Sequence, residues 1–263
     1  MTRPHAFRSL LASLAAVALL VATTATGAPH QQKPNRGITT ILLVHGAWAD
    51  GSSWSKVIPL LEARGLHVVA VQLPLTSLVD DVATVQRAIA LQDGPLLLVG
   101  HSYGGVVITE AGNDPRVAGL VYVAAFAPLE GQSALDLSNA NPSPGAQELQ
   151  QDAFGFLMLT RKGIRQDFAQ DLTDAEQTVL TATQSPISGA ALSTPVSTAA
   201  WRNKPSWYVI TGRDRMIAPT LQSALAQQMH ATSITLSSSH VAMLSQPYDV
   251  ASFIRSAARH AGH

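Results

Sequence analysis

The chain has 263 residues, and its 17 Lys plus Arg balance 17 Asp plus Glu, so no basic face for nucleic acid or an anionic membrane surface is indicated. It contains no cysteine, which removes disulfides, thiolate metal sites and a Cys nucleophile together. Charged residues make up only 13% of the chain, below the usual ~25%, so its solvated surface must be built largely from Ser, Thr, Gln and Asn.

The first 28 residues place Arg3 and Arg8 ahead of a Leu/Ala/Val run over 10–22, with small residues at 25–28. This is the pattern of a secretory signal peptide, and its apolar run is shorter than the ~20 residues a membrane span needs. The sequence therefore predicts a secreted or periplasmic protein with no membrane attachment after cleavage. A polar leader over 29–37 follows, and about 235 residues remain for one α/β domain with an insertion.

Apolar runs at 38–44, 67–71, 96–99, 117–123, 206–210 and 232–236 predict strands. Helical periodicity separates them. Trp54, Val57, Ile58 and Leu61 share one face, as do Leu78, Val82, Val85 and Ile89, and later Val250, Phe253, Ile254 and Ala257. A further helix is expected over 219–229. This alternation predicts a mostly parallel, doubly wound sheet of about six strands with helices on both faces. The stretch 129–203 breaks the pattern: it has helical patches, including a Thr173–Glu176 capping box, and no clear strand. It is expected to form a helical cap inserted over the sheet, leaving 38–128 and 204–263 as the core.

The stretch 95–113, PLLLVGHSYGGVVITEAGN, reads as a buried strand, a forced turn and a helix. Its centre is Gly100-His101-Ser102-Tyr103-Gly104, the Gly-x-Ser-x-Gly pattern of a nucleophile elbow. A turn this sharp strains the Ser backbone and presses positions two before and two after it together, so both favour residues without a Cβ. The Ser hydroxyl then stands at a helix N-terminus, where free N–H groups favour developing negative charge.

A serine hydroxyl is a poor nucleophile near neutral pH and needs a base, itself oriented by a third group. Loops at the carboxyl ends of parallel strands meet on one edge of the sheet, and Asp214 and His240 both fall in such loops. His101 is expected to point away from Ser102, and His45 belongs to the first strand's loop, so His240 is favoured as base. Asp214 could alternatively be a turn residue paired with Arg213 and Arg215, and His240 a surface residue among Ser237, Ser238 and Ser239. Glu110 and Asp114 lie too far along the elbow helix. Two backbone donors are expected for an oxyanion, one from Tyr103 and one from Ala47 in the His45-Gly46-Ala47-Trp48 loop.

HGAW, GHSYGG, GRDRMIAP and SSSHVAML, in this order, resemble the α/β-hydrolase superfamily and within it the small-esterase branch of plant methyl-ester esterases and hydroxynitrile lyases. The resemblance spans the chain after the leader except the cap. It implies the α/β-hydrolase fold and a Ser102–Asp214–His240 triad. Where the lyases carry a Lys after the catalytic His, Val241 stands here, which argues against cyanohydrin cleavage.

The expectation is a cofactor-free, metal-free serine hydrolase that forms an acyl-enzyme on a small, largely apolar carboxylic ester. The same triad could serve a lactonase, an amidase or a perhydrolase, and the fold could instead be a ligand-binding protein without turnover. Apolar residues, chiefly Trp48, Phe126, Phe154 and Trp201, with Phe156, Leu157 and Leu159, are the candidates to line the substrate site, the alternative being that the aromatics simply pack the cap. The sequence sets no oligomeric state.

Overall fold

The computed structural model describes residues 37–261. The signal peptide expected at 1–28, and the leader except Gly37, lie outside the described residues.

Six strands form one parallel sheet: β1 (Thr40–Val44), β2 (His67–Val71), β3 (Leu96–His101), β4 (Val117–Val123), then after the insertion β8 (Ser206–Thr211) and β9 (Thr232–Leu236). Their spatial order is β2-β1-β3-β4-β8-β9. The central strands are buried on both faces, from Ile41–Val44 through 96–99 and 120–123 to 208–210, which is why they read as unbroken apolar runs. Helices α1 (Ile58–Glu62), α2 (Leu78–Ala90) and α3 (Gly104–Ala111) connect the first four strands. On α2 the buried positions are Leu78, Asp81, Val82, Val85 and Ile89, the expected apolar stripe with one carboxylate in it.

The strand order reverses between β1 and β3, the place where open parallel sheets leave a crevice at their carboxyl ends. The HGAW loop and the elbow are the segments leaving those two strands. β3 runs two residues beyond the expected end at 99, because Gly100 and His101 still pair with Tyr122 and Val123 of β4. A missing Cβ ends neither ladder.

Between β4 and β8 lie α4 (Ala134–Ala140), β5 (Leu149–Gln151), β6 (Phe156–Leu159), α5 (Arg161–Gly163), a single π-turn at Ile164–Phe168, α6 (Asp174–Thr183), β7 (Ile187–Ser188) and α7 (Gly189–Ser193). Thr173 and Glu176 form the expected capping box. The expectation of a stretch without strands is corrected. β5, β6 and β7 make a small antiparallel sheet, whose strands of two to four residues are too short to show an alternation in sequence. The chain closes with α8 (Pro219–Gln228), α9 (Ala242–Ser245) and α10 (Pro247–His260), the last with Val250, Phe253, Ile254 and Ala257 buried.

At the elbow Ser102 has φ of +52°, a left-handed conformation that costs an L-residue energy and is held here by the packing around it. Three close approaches make that packing. A Cβ on Gly100 would stand 2.6 Å from the Gly104 carbonyl, one on Gly104 2.6 Å from the His45 carbonyl, and one on Gly46 2.7 Å from the Ser102 Cβ. β1's loop and the elbow therefore touch backbone to backbone.

The Asp81 carboxylate joins α2 to this turn. It is fully buried, accepts the Tyr103 hydroxyl at Oδ2 (2.8 Å) and the Leu75 N–H at Oδ1 (2.8 Å), and makes no ion pair among the described residues. Desolvation raises its pKa from 3.8 to about 6, against the lowering effect of its two hydrogen bonds.

Two expectations follow from these contacts. Gly104→Ala should destabilise the protein by about 2 kcal/mol or more in urea unfolding, since its Cβ meets only immovable backbone, while Gly212→Ala, with its nearest contact at 3.4 Å, should cost under about 1 kcal/mol. For Asp81 the folded pKa lies above the unfolded one, so its stabilising contribution is complete below pH 3.8 and is lost as pH rises through about 6. Between about pH 4 and pH 7 the unfolding free energy of Asp81→Asn should therefore gain on that of the parent by up to about 3 kcal/mol. Equal pH dependence of the two proteins would show that the carboxyl titrates normally.

Candidate active site

Ser102 stands between the end of β3 and the start of α3, its own N–H bonded to Val123 and its carbonyl accepting from Gly105 and Phe126. Those three bonds leave only the hydroxyl to do chemistry. The backbone N–H groups of Ala47 and Tyr103 donate to no other group among the described residues, and both residues line the same cavity as Ser102. The loop that carries Ala47 is held by His45, whose Nε2 accepts the Leu73 N–H (2.9 Å) and whose Nδ1 therefore carries the proton donated to the Gly46 carbonyl (2.8 Å). Burial lowers the His45 pKa, keeping the ring neutral in that tautomer.

Asp214 follows β8 and His240 follows β9, and the structure brings them together: His240 Nδ1 lies 2.7 Å from Asp214 Oδ2, with both side chains inaccessible to solvent. The carboxylate is saturated. Oδ2 also accepts Thr211 Oγ1 (2.8 Å) and Gln222 Nε2 (2.7 Å), and Oδ1 accepts the N–H groups of Met216 (2.8 Å) and Ile217 (3.0 Å). Its neighbours turn elsewhere, Arg213 to Asp171 and the Ser237 carbonyl, Arg215 to Asp167. With Nδ1 as the donor to a carboxylate, His240 keeps Nε2 as an acceptor, and this atom is buried without a hydrogen-bond partner. Ser102 and His240 are thus not hydrogen-bonded to each other here, as is common in a site without substrate.

Two contacts on His240 have no counterpart in the sequence expectation. His101 is turned away from a catalytic role, but its Nε2 donates to the His240 carbonyl (3.0 Å) and its ring packs 4.7 Å from the His240 ring. Desolvation holds the His101 pKa well below 6.5, so it stays a neutral donor. Phe168, at the end of the π-turn, packs on His240 at 5.3 Å and edge-on to Trp48 at 6.3 Å. Only Gln222 left a sequence signal, as a polar side chain on the buried face of α8 with Leu221 and Leu225.

The cavity over Ser102 has a volume of about 110 Å³ and a mostly apolar wall. Ala47, Trp48, Tyr103 and Phe126 come from the core, and Leu135, Leu149, Leu157 and Leu192 from the insertion. Trp48, itself at φ of +57°, donates its indole N–H to the Leu157 carbonyl (3.0 Å), which fixes the insertion to the HGAW loop. Of the four expected lining residues, Trp48 and Phe126 face this cavity. The other two are corrected: Phe154 sits in the β5–β6 turn with 87% of its surface in solvent, and Trp201 is buried away from the cavity, its indole bonded to the Pro128 carbonyl and its ring under Arg202. Leu157 lines the cavity, whereas Phe156 and Leu159 do not.

Known proteins resemble this chain to differing degrees. A pyrethroid hydrolase from Sphingobium wenxiniae is 31% identical over 194 residues, 60% of this chain and 68% of that protein. Methylesterase 8 of Arabidopsis thaliana is 34% identical over 102 residues, 33% of this chain and 38% of its own. The crystal structure of a pyrethroid hydrolase from Sphingobium faniae superposes with a TM-score of 0.74 at 24% identity, covering 85% of this chain and 98% of that one. The alpha/beta hydrolase family model matches residues 41–253, nearly all of the described structure, and the chain belongs to that family.

Proposed function

We propose that the protein is a serine esterase that cleaves a small, largely uncharged carboxylic ester through an acyl-enzyme. The observation that carries this reading is the His240 Nε2: a buried acceptor with no partner, on a ring oriented by Asp214, at the same sheet edge as the elbow serine. A buried polar atom left unpaired is costly, and a lone pair kept free on a ring that a carboxylate orients is what a base requires.

In the proposed reaction Nε2 takes the Ser102 proton as Oγ attacks the ester carbonyl. The N–H groups of Ala47 and Tyr103 receive the oxyanion, and the alcohol leaves with the proton from His240. Water then enters by the same route in reverse and releases the acid. The neutral ring of His101 and the apolar Phe168 flank His240, so no further charge stands against the imidazolium as it forms. The apolar wall and the absence of Lys and Arg from the cavity lining favour an uncharged acyl group, and the relatives' names, a pyrethroid hydrolase and a methylesterase, are in keeping with ester cleavage.

We also propose export. The basic, apolar and small-residue segments over 1–28 support it, and mass measurement of the protein from the producing cell would place the cleavage site.

A fluorophosphonate should give a single adduct on Ser102 of the mature protein, with hydrolysis of p-nitrophenyl acetate and butyrate lost in Ser102→Ala. Asp214→Asn should keep the fold and lose about 10⁴-fold in kcat, the size of the effect for the equivalent change in a serine protease. An unlabelled, folded protein would favour a ligand-binding role, and a fully active Asp214→Asn would require another acid.

A further inference from the structure

The elbow residue after the nucleophile has a task for its backbone and a separate tether for its side chain. Tyr103 is 1% exposed, and its hydroxyl donates to Asp81, a buried carboxylate on a different helix. A tyrosine packed only for its apolar ring would be served as well by phenylalanine. Here a charge-assisted bond fixes the ring end about an arm's length from the N–H expected to meet the oxyanion.

Asp81 is in turn the middle of a longer chain of bonds. Its other oxygen accepts from Leu75, which is held at φ of +58°, and the Leu75 carbonyl accepts the N–H of Ser188 in β7 of the insertion (2.9 Å). The path therefore runs Ser188 N–H to Leu75, Leu75 N–H to Asp81, and Asp81 to the Tyr103 hydroxyl, ending one residue from Ser102. Each link is a directional bond between buried or partly buried groups, and the left-handed Leu75 turns its N–H and its carbonyl toward opposite partners. Among the described residues the carboxylate has two donors and no cation, and these partners hold its place. Its burial, which raises its pKa, shows that the site accepts a cost in stability to keep a carboxylate there.

We propose that Asp81 is a positioning residue of the oxyanion hole, which through the Tyr103 hydroxyl sets the direction of the Tyr103 N–H and through Leu75 ties that direction to the docked insertion. The inference rests on the serine-esterase reading. An oxyanion donor acts on the transition state and not on the bound ester, so misdirecting it lowers kcat and spares KM. Removing one such donor outright costs about 10²- to 10³-fold, and turning it costs less.

The test uses Asp81→Asn, which keeps the shape and can still accept from Leu75, together with Tyr103→Phe and the double variant. Active sites are counted by complete phosphonylation of Ser102. Per labelled site, kcat for p-nitrophenyl butyrate should fall about tenfold in each single variant with KM within about twofold, and the double variant should be no worse than either single. A trifluoromethyl ketone gives a second readout. Its carbonyl carbon bonds Ser102 Oγ, the proton passes to His240, and the carbonyl electron pair becomes an oxyanion. Its affinity should weaken by the same factor as kcat, which a loss of fold alone would not produce. Unchanged kcat per labelled site in Asp81→Asn, or losses that multiply in the double variant, would overturn the proposal. If Asp81→Asn does not fold, Tyr103→Phe decides in the same terms. Failure of the parent to label at Ser102 would instead overturn the esterase reading.

Discussion

The close contact of the HGAW loop with the elbow around Ser102 is the constraint on which the rest of the site depends. β1 and β3 are neighbours in the sheet, and the chain leaves them in opposite directions, so their carboxyl ends open a crevice between the HGAW loop and the elbow. The close approach of that loop to the elbow, which puts Ala47 and Tyr103 on the same cavity as Ser102, requires Gly46, Gly100 and Gly104 to have no side chains. The left-handed Ser102 is the residual strain of this closure. The strand ladders on either side, which continue through Gly100 and His101, are what keep the turn from relaxing.

Behind the serine, the site is ordered by polar satisfaction in a dry interior. Histidines 45, 101 and 240 are all nearly inaccessible, and two of them spend their donors on backbone carbonyls and not on chemistry. His101 holds the loop of His240, and His45 holds the loop of Ala47. Asp214 collects every donor within reach, so its direction toward His240 is fixed before substrate arrives. Two ring nitrogens of this network, His101 Nδ1 and His240 Nε2, are buried without a hydrogen-bond partner, and of the two only Nε2 belongs to a ring oriented by a carboxylate.

How much of this the sequence shows depends on what produces each feature. The six core strands, the helix faces and the elbow follow from local patterns: apolar runs, a period of 3.6, and glycines two residues either side of a serine. Asp214 and His240 could be placed on the correct edge because parallel topology alone decides which loops meet. The partners of those residues were not legible, since Phe168, Thr211 and the His101 bond to a carbonyl arise from tertiary packing that leaves no spacing in the chain. The insertion was read least well. Its strands are two to four residues long, and apolar residues there serve equally for packing against the main core, as Trp201 does, or for solvent-facing turns, as Phe154 does. Aromatic character without a register cannot choose among those places.

The two buried carboxylates near the site, Asp214 and Asp81, differ in the number of donors each receives, and that difference assigns them different work. Five donors on Asp214 fix the direction of a carboxylate that bonds the His240 ring itself, so in the proposed reaction it acts directly on the base. Two donors on Asp81, a tyrosine hydroxyl and one N–H, hold a carboxylate whose burial pushes its pKa up to about 6 despite them. Such a group is a poor electrostatic anchor but a stiff mechanical one, because moving it would strand both donors in an apolar surround. On the proposed reading the fold thus supports the oxyanion side of Ser102 through Asp81 and the base side through Asp214, and the insertion reaches the first through Leu75 and Ser188 and the second through Phe168.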